Sequence, residues 1–227
     1  MPTSAAPITD SLVGQPALAA LGASFTAITL AELGDKTFFM ALILAARHSA
    51  RLVFAGAFAA LTVVTLLSLG LGYGLRELLP AAVVPWLAAA LFLGFGVKLL
   101  LDAQRLAADG EAEEAREAEQ AVDAAERGGP ISSSRAVLGE AFVLVFLAEL
   151  GDRTQFTTIF LAAAPAFTFA GLLAGALLGH ALVTWLAVGA GKWIGGRISE
   201  RLLYRLSGSL FVAFGIVALH QALLGAA

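Results

Sequence analysis

The chain has 227 residues, 59% of them hydrophobic and 14% charged, where an ordinary soluble domain carries about 25% charged residues. A mean hydropathy of +0.86 points instead to a protein that crosses a membrane several times. The net charge of −3 is uninformative and nothing in the sequence suggests nucleic-acid binding, while the lack of cysteine excludes disulfides, thiolate metal sites and a cysteine nucleophile.

The first residues, 1–16, contain no Lys or Arg. They lack the basic start of a secretory signal, so the first apolar run is expected to be retained as a helix. Six apolar runs follow, at roughly 17–46, 52–75, 83–101, 136–164, 167–190 and 203–224, each long enough to match the ~20 residues a bilayer requires. Pro80, Pro85, Pro165, Gly195 and Gly196 fall near their ends, where helix breakers belong. The first and fourth runs are too long for one straight span. About 30 helical residues reach about 45 Å, against about 30 Å of hydrocarbon. Each is expected to tilt, project or break, and Gly34 and Gly151 mark where an unwound turn would fall. The fold class is therefore an all-α integral membrane protein with six transmembrane helices.

Residues 102–135 are acidic and Ala-rich. They read as a solvated helix or mobile linker without an apolar face, with cation sensing as the alternative. Shortening this segment within 106–128 is expected to be largely tolerated. On either side of it the sequence repeats. "LAELGDKTFF" at 30–39 matches "LAELGDRTQF" at 147–156, and "FAGAFAA" at 54–60 resembles "FAGLLAG" at 169–175. "LFLGFGVKLLLDA" at 91–103 resembles "LFVAFGIVALHQA" at 210–222. The chain thus divides into an N-terminal segment 1–16, a three-helix repeat 17–101, the linker 102–135 and a second three-helix repeat 136–224. An odd number of spans per repeat sends the second half into the membrane from the opposite side, the inverted arrangement of many secondary transporters.

Basic residues set the orientation. Eleven lie in or beside the loops after the first, third and fifth runs: Arg47, Arg51, Lys98, Arg105, Arg116, Arg127, Arg135, Lys192, Arg197, Arg201 and Arg205. The opposite side holds Arg76. Both termini are therefore expected outside the cytoplasm and the acidic linker inside it.

The chemistry lies in the repeated motif. Glu32 and Asp35 are three residues apart, as are Glu149 and Asp152, and helical spacing puts each pair on one face. Pseudo-symmetry would bring the four carboxylates together near the membrane midplane. They cannot all stay ionised in low dielectric, so they must bind a cation, take up protons or pair with Lys36 and Arg153. Four ionised carboxylates against those two cations leave two negative charges, which one divalent ion or two protons would cancel. Thr37, Thr154 and Gln155 add hard oxygen donors, and the set suits Mn²⁺, Ca²⁺ or Mg²⁺ rather than Cu⁺ or Zn²⁺. The competing structural reading pairs Glu32 with Lys36 and Glu149 with Arg153, each four residues on, as helix glue. His180 is open to two readings, a packing residue or a proton or metal group. Thr62, Thr65, Ser68 and Thr184 line a path or bond their own helix backbone.

The duplicated E-x-G-D-(K/R)-(S/T), complete at Glu32–Thr37 and again at Glu149–Thr154, resembles the mark of the cation/proton exchanger family of Golgi transmembrane protein 165, which includes bacterial manganese exporters. The resemblance extends over both three-helix halves, and "GHALVTWLAV" is similar to the family's fifth span, which favours a role for His180. It implies exchange of Mn²⁺ or Ca²⁺ for protons at Glu32, Asp35, Glu149 and Asp152, with Thr37 and Thr154 as accessory ligands. No leader of the kind some eukaryotic members carry is expected here, and a bacterial inner (plasma) membrane protein is the expectation. The expected partners are the lipid bilayer, a divalent cation and protons, with no nucleic acid, no enzymatic activity and no cofactor beyond the transported ion. Two alternatives come from other classes. One is an intramembrane aspartyl protease using Asp35 and Asp152. The other is a lysine-exporter-type transporter of small solutes, with the acids acting only as proton carriers.

Overall fold

A computed structural model of the chain describes residues 9–80, 82–105, 113–127, 133–190 and 200–225. The N-terminal residues 1–8, the expected breakers Gly195 and Gly196, and the basic residues Lys192 and Arg197 lie outside the described residues. Nine helices occupy the described residues: α1 (Thr9–Glu32), α2 (Lys36–Arg47), α3 (Ala50–Leu78), α4 (Val83–Arg105), α5 (Glu113–Glu126), α6 (Ser134–Glu149), α7 (Arg153–Ala163), α8 (Phe169–Ala190) and α9 (Glu200–Gly225).

The two overlong runs each break at their glycine. The first becomes α1 and α2, bent by 65°, and the fourth becomes α6 and α7. Helices α3, α4, α8 and α9 are each long and apolar enough to cross a membrane, and the bent pair α1–α2 makes a fifth candidate span. Their outward faces carry Leu66, Leu67, Leu71, Leu178, Trp185, Ile216 and Val217 exposed, an apolar surface far larger than a water-soluble protein leaves bare.

Helices α3 and α8 form the centre. Helix α3 packs on α6, α7 and α8, and α8 packs on α1, α2 and α3, while α4 and α9 lie against each other at one side. Small residues let these backbones approach. A methyl group added at Gly56 of α3 would run into the Leu138 carbonyl of α6, and one at Gly171 of α8 into the Ala17 carbonyl of α1. Repeat-related glycines thus both touch the backbone of the helix packed on them, with partner carbonyls one helical turn apart in the repeat alignment.

The linker departs from expectation. Ala118 and Val122 of α5 are fully buried, and with Ala121 they join the cluster formed by Phe38, Leu44, Val53 and Val137. Spaced at i, i+3 and i+4, these three residues make a narrow stripe that an Ala-rich, acidic composition conceals. The acids beside the stripe reach basic and polar groups at its border. Glu117 meets Lys36 at 3.0 Å, Asp123 meets Arg47 at 2.8 Å, and Glu126 meets Arg47 at 2.5 Å and His48 at 2.7 Å. Burial raises the Glu126 carboxyl, but hydrogen bonds from His48 and Arg47 outweigh it and hold the group below its ordinary range. The segment therefore has an apolar face after all, which removes the ground for expecting shortening within 106–128 to leave transport largely intact, because removing α5 would uncover the side of α2.

The glycine contacts are directly testable. Gly56→Ala and Gly171→Ala are each expected to cost about 1–3 kcal/mol by forcing helices apart, seen as a lower Tm of the purified protein in detergent. Gly70→Ala, where the added methyl meets nothing within 4 Å, is expected to leave Tm unchanged or raise it slightly.

Candidate cation site

The two motifs fold alike because they share one local solution. After Glu149 ends α6, Leu150 adopts φ −68° and ψ 111° and Gly151 φ 84°, and the Asp152 N–H donates to the Glu149 carbonyl at 3.2 Å. This is a type II turn, whose third position needs a left-handed backbone and therefore glycine. In the first motif Gly34 stands at φ 76°, and the Asp35 N–H donates to the Glu32 carbonyl at 3.1 Å. Each turn sets the C-terminal end of one helix, with its free carbonyls, beside the N-terminal end of the next.

The glutamates are held in matching fashion. The Thr37 hydroxyl donates to Glu32 Oε2 at 2.9 Å, and the Thr154 hydroxyl donates to Glu149 Oε2 at 2.8 Å. The other oxygen of each, Oε1, is buried without a hydrogen-bond partner. Glu32, Asp35 and Glu149 are at most 4% exposed, and each offers a carboxylate oxygen within 4.8 Å of the others. Bonds of about 2.0–2.6 Å to a shared ion place donors about 3–5 Å apart, so this trio has the spacing and the hard-oxygen chemistry for one divalent cation as substrate.

The aspartates differ. Asp152 caps α7, accepting from the Thr154 N–H at 3.2 Å, with the Thr154 hydroxyl that donates to Glu149 also 3.2 Å away. Asp35 makes no such cap at α2 and pairs instead with Arg153 of the other motif. Three of the four expected carboxylates thus gather, and Asp152 stands at their edge, half-buried. The expected i,i+4 pairs do not form. The turns break the helices between their members, so Arg153 crosses to Asp35 while Lys36 points away to Glu117 on the linker helix. Lys36 is consequently no charge partner of the cluster.

Gln155 accepts a hydrogen bond from the Gly151 N–H at 2.7 Å and so steadies the second turn. His180 is 4% exposed, with Nδ1 3.5 Å from Glu32 Oε1. It shares a narrow crevice with Thr65, Ser68, Glu149, Thr154 and Thr158. Thr62, Thr65 and Ser68 donate to carbonyls four residues back on α3, each at 2.7 Å.

A polar cavity of about 670 Å³ opens on the linker side, lined among others by Lys98, Asp102, Glu114, Glu117, Asp152, Arg153 and Tyr204. Arg153, which lines it, is also the partner of buried Asp35. Tyr204 and Glu114 were not candidates from the sequence. The Tyr204 ring lies 6.0 Å from the Arg153 guanidinium, and its hydroxyl donates to Glu114 at 3.1 Å. Burial raises the Glu114 carboxyl, with Arg153 and the Tyr204 hydroxyl opposing it. Ser207, one turn on, donates to the Leu30 carbonyl just before the first break. The only sequence signal for these residues is polarity at the edge of an apolar run.

A family model described as divalent cation/proton antiporter GDT1 matches residues 20–107 and 137–226. The chain is 42% identical over 202 residues to a GDT1-like protein of Synechocystis sp., an alignment covering 88% of this chain and 97% of that one. It is 41% identical over 209 residues to GDT1-like protein 1, chloroplastic, of Oryza sativa subsp. indica, and 40% identical over 210 residues to Protein PAM71, chloroplastic, of Arabidopsis thaliana. Each alignment covers 87% of this chain, and they span 61% and 56% of those two proteins. No solved structure matches.

The turn geometry yields a sharp test. An added methyl at Gly151 meets nothing within 4 Å, so Gly151→Ala would act through backbone conformation alone, at about 1–2 kcal/mol. It is expected to lower Tm and weaken cation binding by displacing Glu149 from Asp152. Gly139→Ala, inside α6 and equally free of neighbours, is expected to do neither; equal behaviour of the two variants would refute the turn assignment.

Proposed function

The chain belongs to the GDT1 family of divalent cation/proton antiporters, and on that premise we propose that it exports Mn²⁺, with Ca²⁺ as the alternative cargo, from the cytoplasm in exchange for protons. The observation that carries this reading is the pair of buried glutamates with one oxygen fixed by a threonine and the other left unpartnered. A buried carboxylate oxygen without a donor is costly, and an ion or a proton relieves that cost equally well. A site that accepts either can exchange one for the other.

In this reading the charge balance rests on different members from those expected from the sequence. Glu32, Asp35 and Glu149 against Arg153 leave two negative charges in the buried cluster. One Mn²⁺ neutralises them, and so do two protons, which favours an electroneutral cycle of one Mn²⁺ outward for about two protons inward. Asp152, which lines the linker-side cavity with Asp102, Glu114 and Glu117, serves to pass an entering ion on to the buried trio. Gln155 steadies the turn that presents it, and His180 lies where it can follow the charge on Glu32.

The six-span, inverted-repeat architecture belongs to this proposal. It is supported by the repeated sequence, the twin glycine breaks and the matching packing of α1 on α8 and α6 on α3. Alternating access then consists of exchanging the two halves' conformations around a fixed site. The basic-residue bias supports placing the linker and its cavity in the cytoplasm, both termini outside, and the protein in an inner (plasma) membrane. The protease reading needs Asp35 and Asp152 to share a proton, whereas Asp35 is engaged by Arg153 and Asp152 by Thr154. The lysine-exporter-type reading leaves the threonine-held glutamates without a cation to bind.

Proton-driven flux of Mn²⁺ and of Ca²⁺ into proteoliposomes tests the assignment. Glu32→Gln, Asp35→Asn and Glu149→Gln are each expected to reduce flux to the level of empty liposomes. Asp152→Asn should retain part of it, since Asn also caps helices. Thr37→Val and Thr154→Val are expected to weaken apparent affinity by roughly tenfold, the usual effect of losing a group that orients a ligand. Near-normal flux in the three glutamate and aspartate variants of the cluster would sink the shared-site reading.

Coupling is tested separately. Protons and metal compete for the same oxygens, so apparent Mn²⁺ affinity should fall as the pH is lowered from about 8 to about 5.5, with no net charge moved per cycle. Affinity independent of pH, together with two charges carried per Mn²⁺, would indicate a uniporter.

A further inference from the structure

A second group of potential ligands lies well away from the carboxylate cluster. His48 follows the last residue of α2, about 20 Å along the helix from Asp35 at 1.5 Å per residue. Its Nε2 stands 2.7 Å from Glu126 Oε1 at the end of α5. Glu140 of α6 completes the group, and the three ligand atoms lie within 4.8 Å of one another. Three helices therefore deliver one donor each to a single point.

The hydrogen bond between His48 and Glu126 would by itself explain two of these residues. It does not explain Glu140. Both Glu140 carboxylate oxygens are shielded from solvent, and neither accepts a hydrogen bond among the described residues. Buried carboxylate oxygens almost always have a partner. The local charge is also unbalanced. Arg47 pairs with Asp123 and Glu126, and Glu140 has no ion-pair partner among the described residues. A cation held between Glu140, Glu126 and His48 would supply the missing partner. Arg47 occupies Glu126 Oε2, leaving Oε1 beside the imidazole and Glu140.

We propose that His48, Glu126 and Glu140 form a second divalent-cation site that latches the linker helix α5 onto α2 and α6. The imidazole nitrogen among the donors favours a transition cation such as Mn²⁺ over Ca²⁺, which takes oxygen. The site is a regulatory element rather than part of the transport path. Glu114 and Glu117, on the same helix, line the linker-side cavity, so an ion at the latch holds α5 in place at that cavity and ties its position to cation concentration on the linker side. The family match leaves out residues 108–136, which include the whole of α5.

The test uses the full chain purified in detergent, with Mn²⁺ alone as the probe. Mn²⁺ binding is measured by electron paramagnetic resonance, and protection of 113–126 by hydrogen exchange. In the Glu32→Gln/Asp35→Asn/Glu149→Gln background, one Mn²⁺ is expected to remain bound and to protect α5. His48→Ala or Glu140→Gln added to that background should weaken this binding at least about tenfold and abolish the protection. A tenfold excess of Ca²⁺ should displace less than half of the bound Mn²⁺. The same two substitutions in the otherwise unchanged chain should remove the protection of α5 and one of two bound Mn²⁺, which covers a background variant that does not fold. Mn²⁺ binding and α5 protection indifferent to His48 and Glu140 would overturn the latch while leaving the transport assignment standing. Loss of all Mn²⁺ binding in the background variant, with its fold intact, would also overturn it.

Discussion

Carboxylates that cannot all be ionised without a counter-charge are the constraint on which the rest of this molecule depends. Glu32, Asp35 and Glu149 are almost completely buried and lie close together, in a region whose outer surface is built to face lipid. Low dielectric multiplies both their mutual repulsion and their attraction for any cation. The protein supplies only part of the compensation: two threonine hydroxyls and one guanidinium. That partial compensation leaves the trio short of positive charge, which under the proposed function one divalent ion or two protons would supply.

The broken helices follow from the same constraint. A continuous helix would bury every backbone carbonyl in its own hydrogen bonds and give an ion nothing but side chains. The turns at Gly34 and Gly151 free backbone groups in the middle of the protein, where irregular backbone survives only if it lines a site or packs on protein. They also determine which charges can meet. In an unbroken helix Glu149 and Arg153 would be neighbours one turn apart. The turn separates them, and Arg153 becomes the partner of Asp35 across the repeat. The two motifs are therefore equivalent in sequence and unequal in place. Asp35 is spent on the centre and Asp152 on a helix cap, while Arg153 faces the cavity and Lys36 the linker. An inequality of this kind between halves of a repeat is what two access states would interchange.

The linker helix shows how a weak apolar signal can still dock a segment. Three small residues at helical spacing bury little area, about 25 cal/mol per Å², and its exposed ion pairs each add under about 1 kcal/mol. Docking by such modest terms is readily shifted by a single strong ligand bond. This makes α5 a suitable element for control at the cavity it helps to line.

Much of this was already determined by the sequence. Residue polarity set the membrane class, because no soluble core can absorb so much apolar surface. Length set the breaks, because thirty-residue runs outreach the hydrocarbon and a glycine sat in the middle of each. The repeated acids marked the candidate site, since only function or pairing keeps charge in apolar surroundings. What the tertiary structure alone decided is who pairs with whom. Glu32 and Lys36 obey the spacing of a helix that the glycine turn removes. Asp152 matches Asp35 in the motif, yet its carboxylate is taken by a backbone N–H. Ala118 and Val122 look like part of a solvated acidic stretch until α2 offers them a face. Ion pairs, caps and shallow packing of this kind depend on distances between segments far apart in the chain. Local composition and periodicity carry no record of those distances.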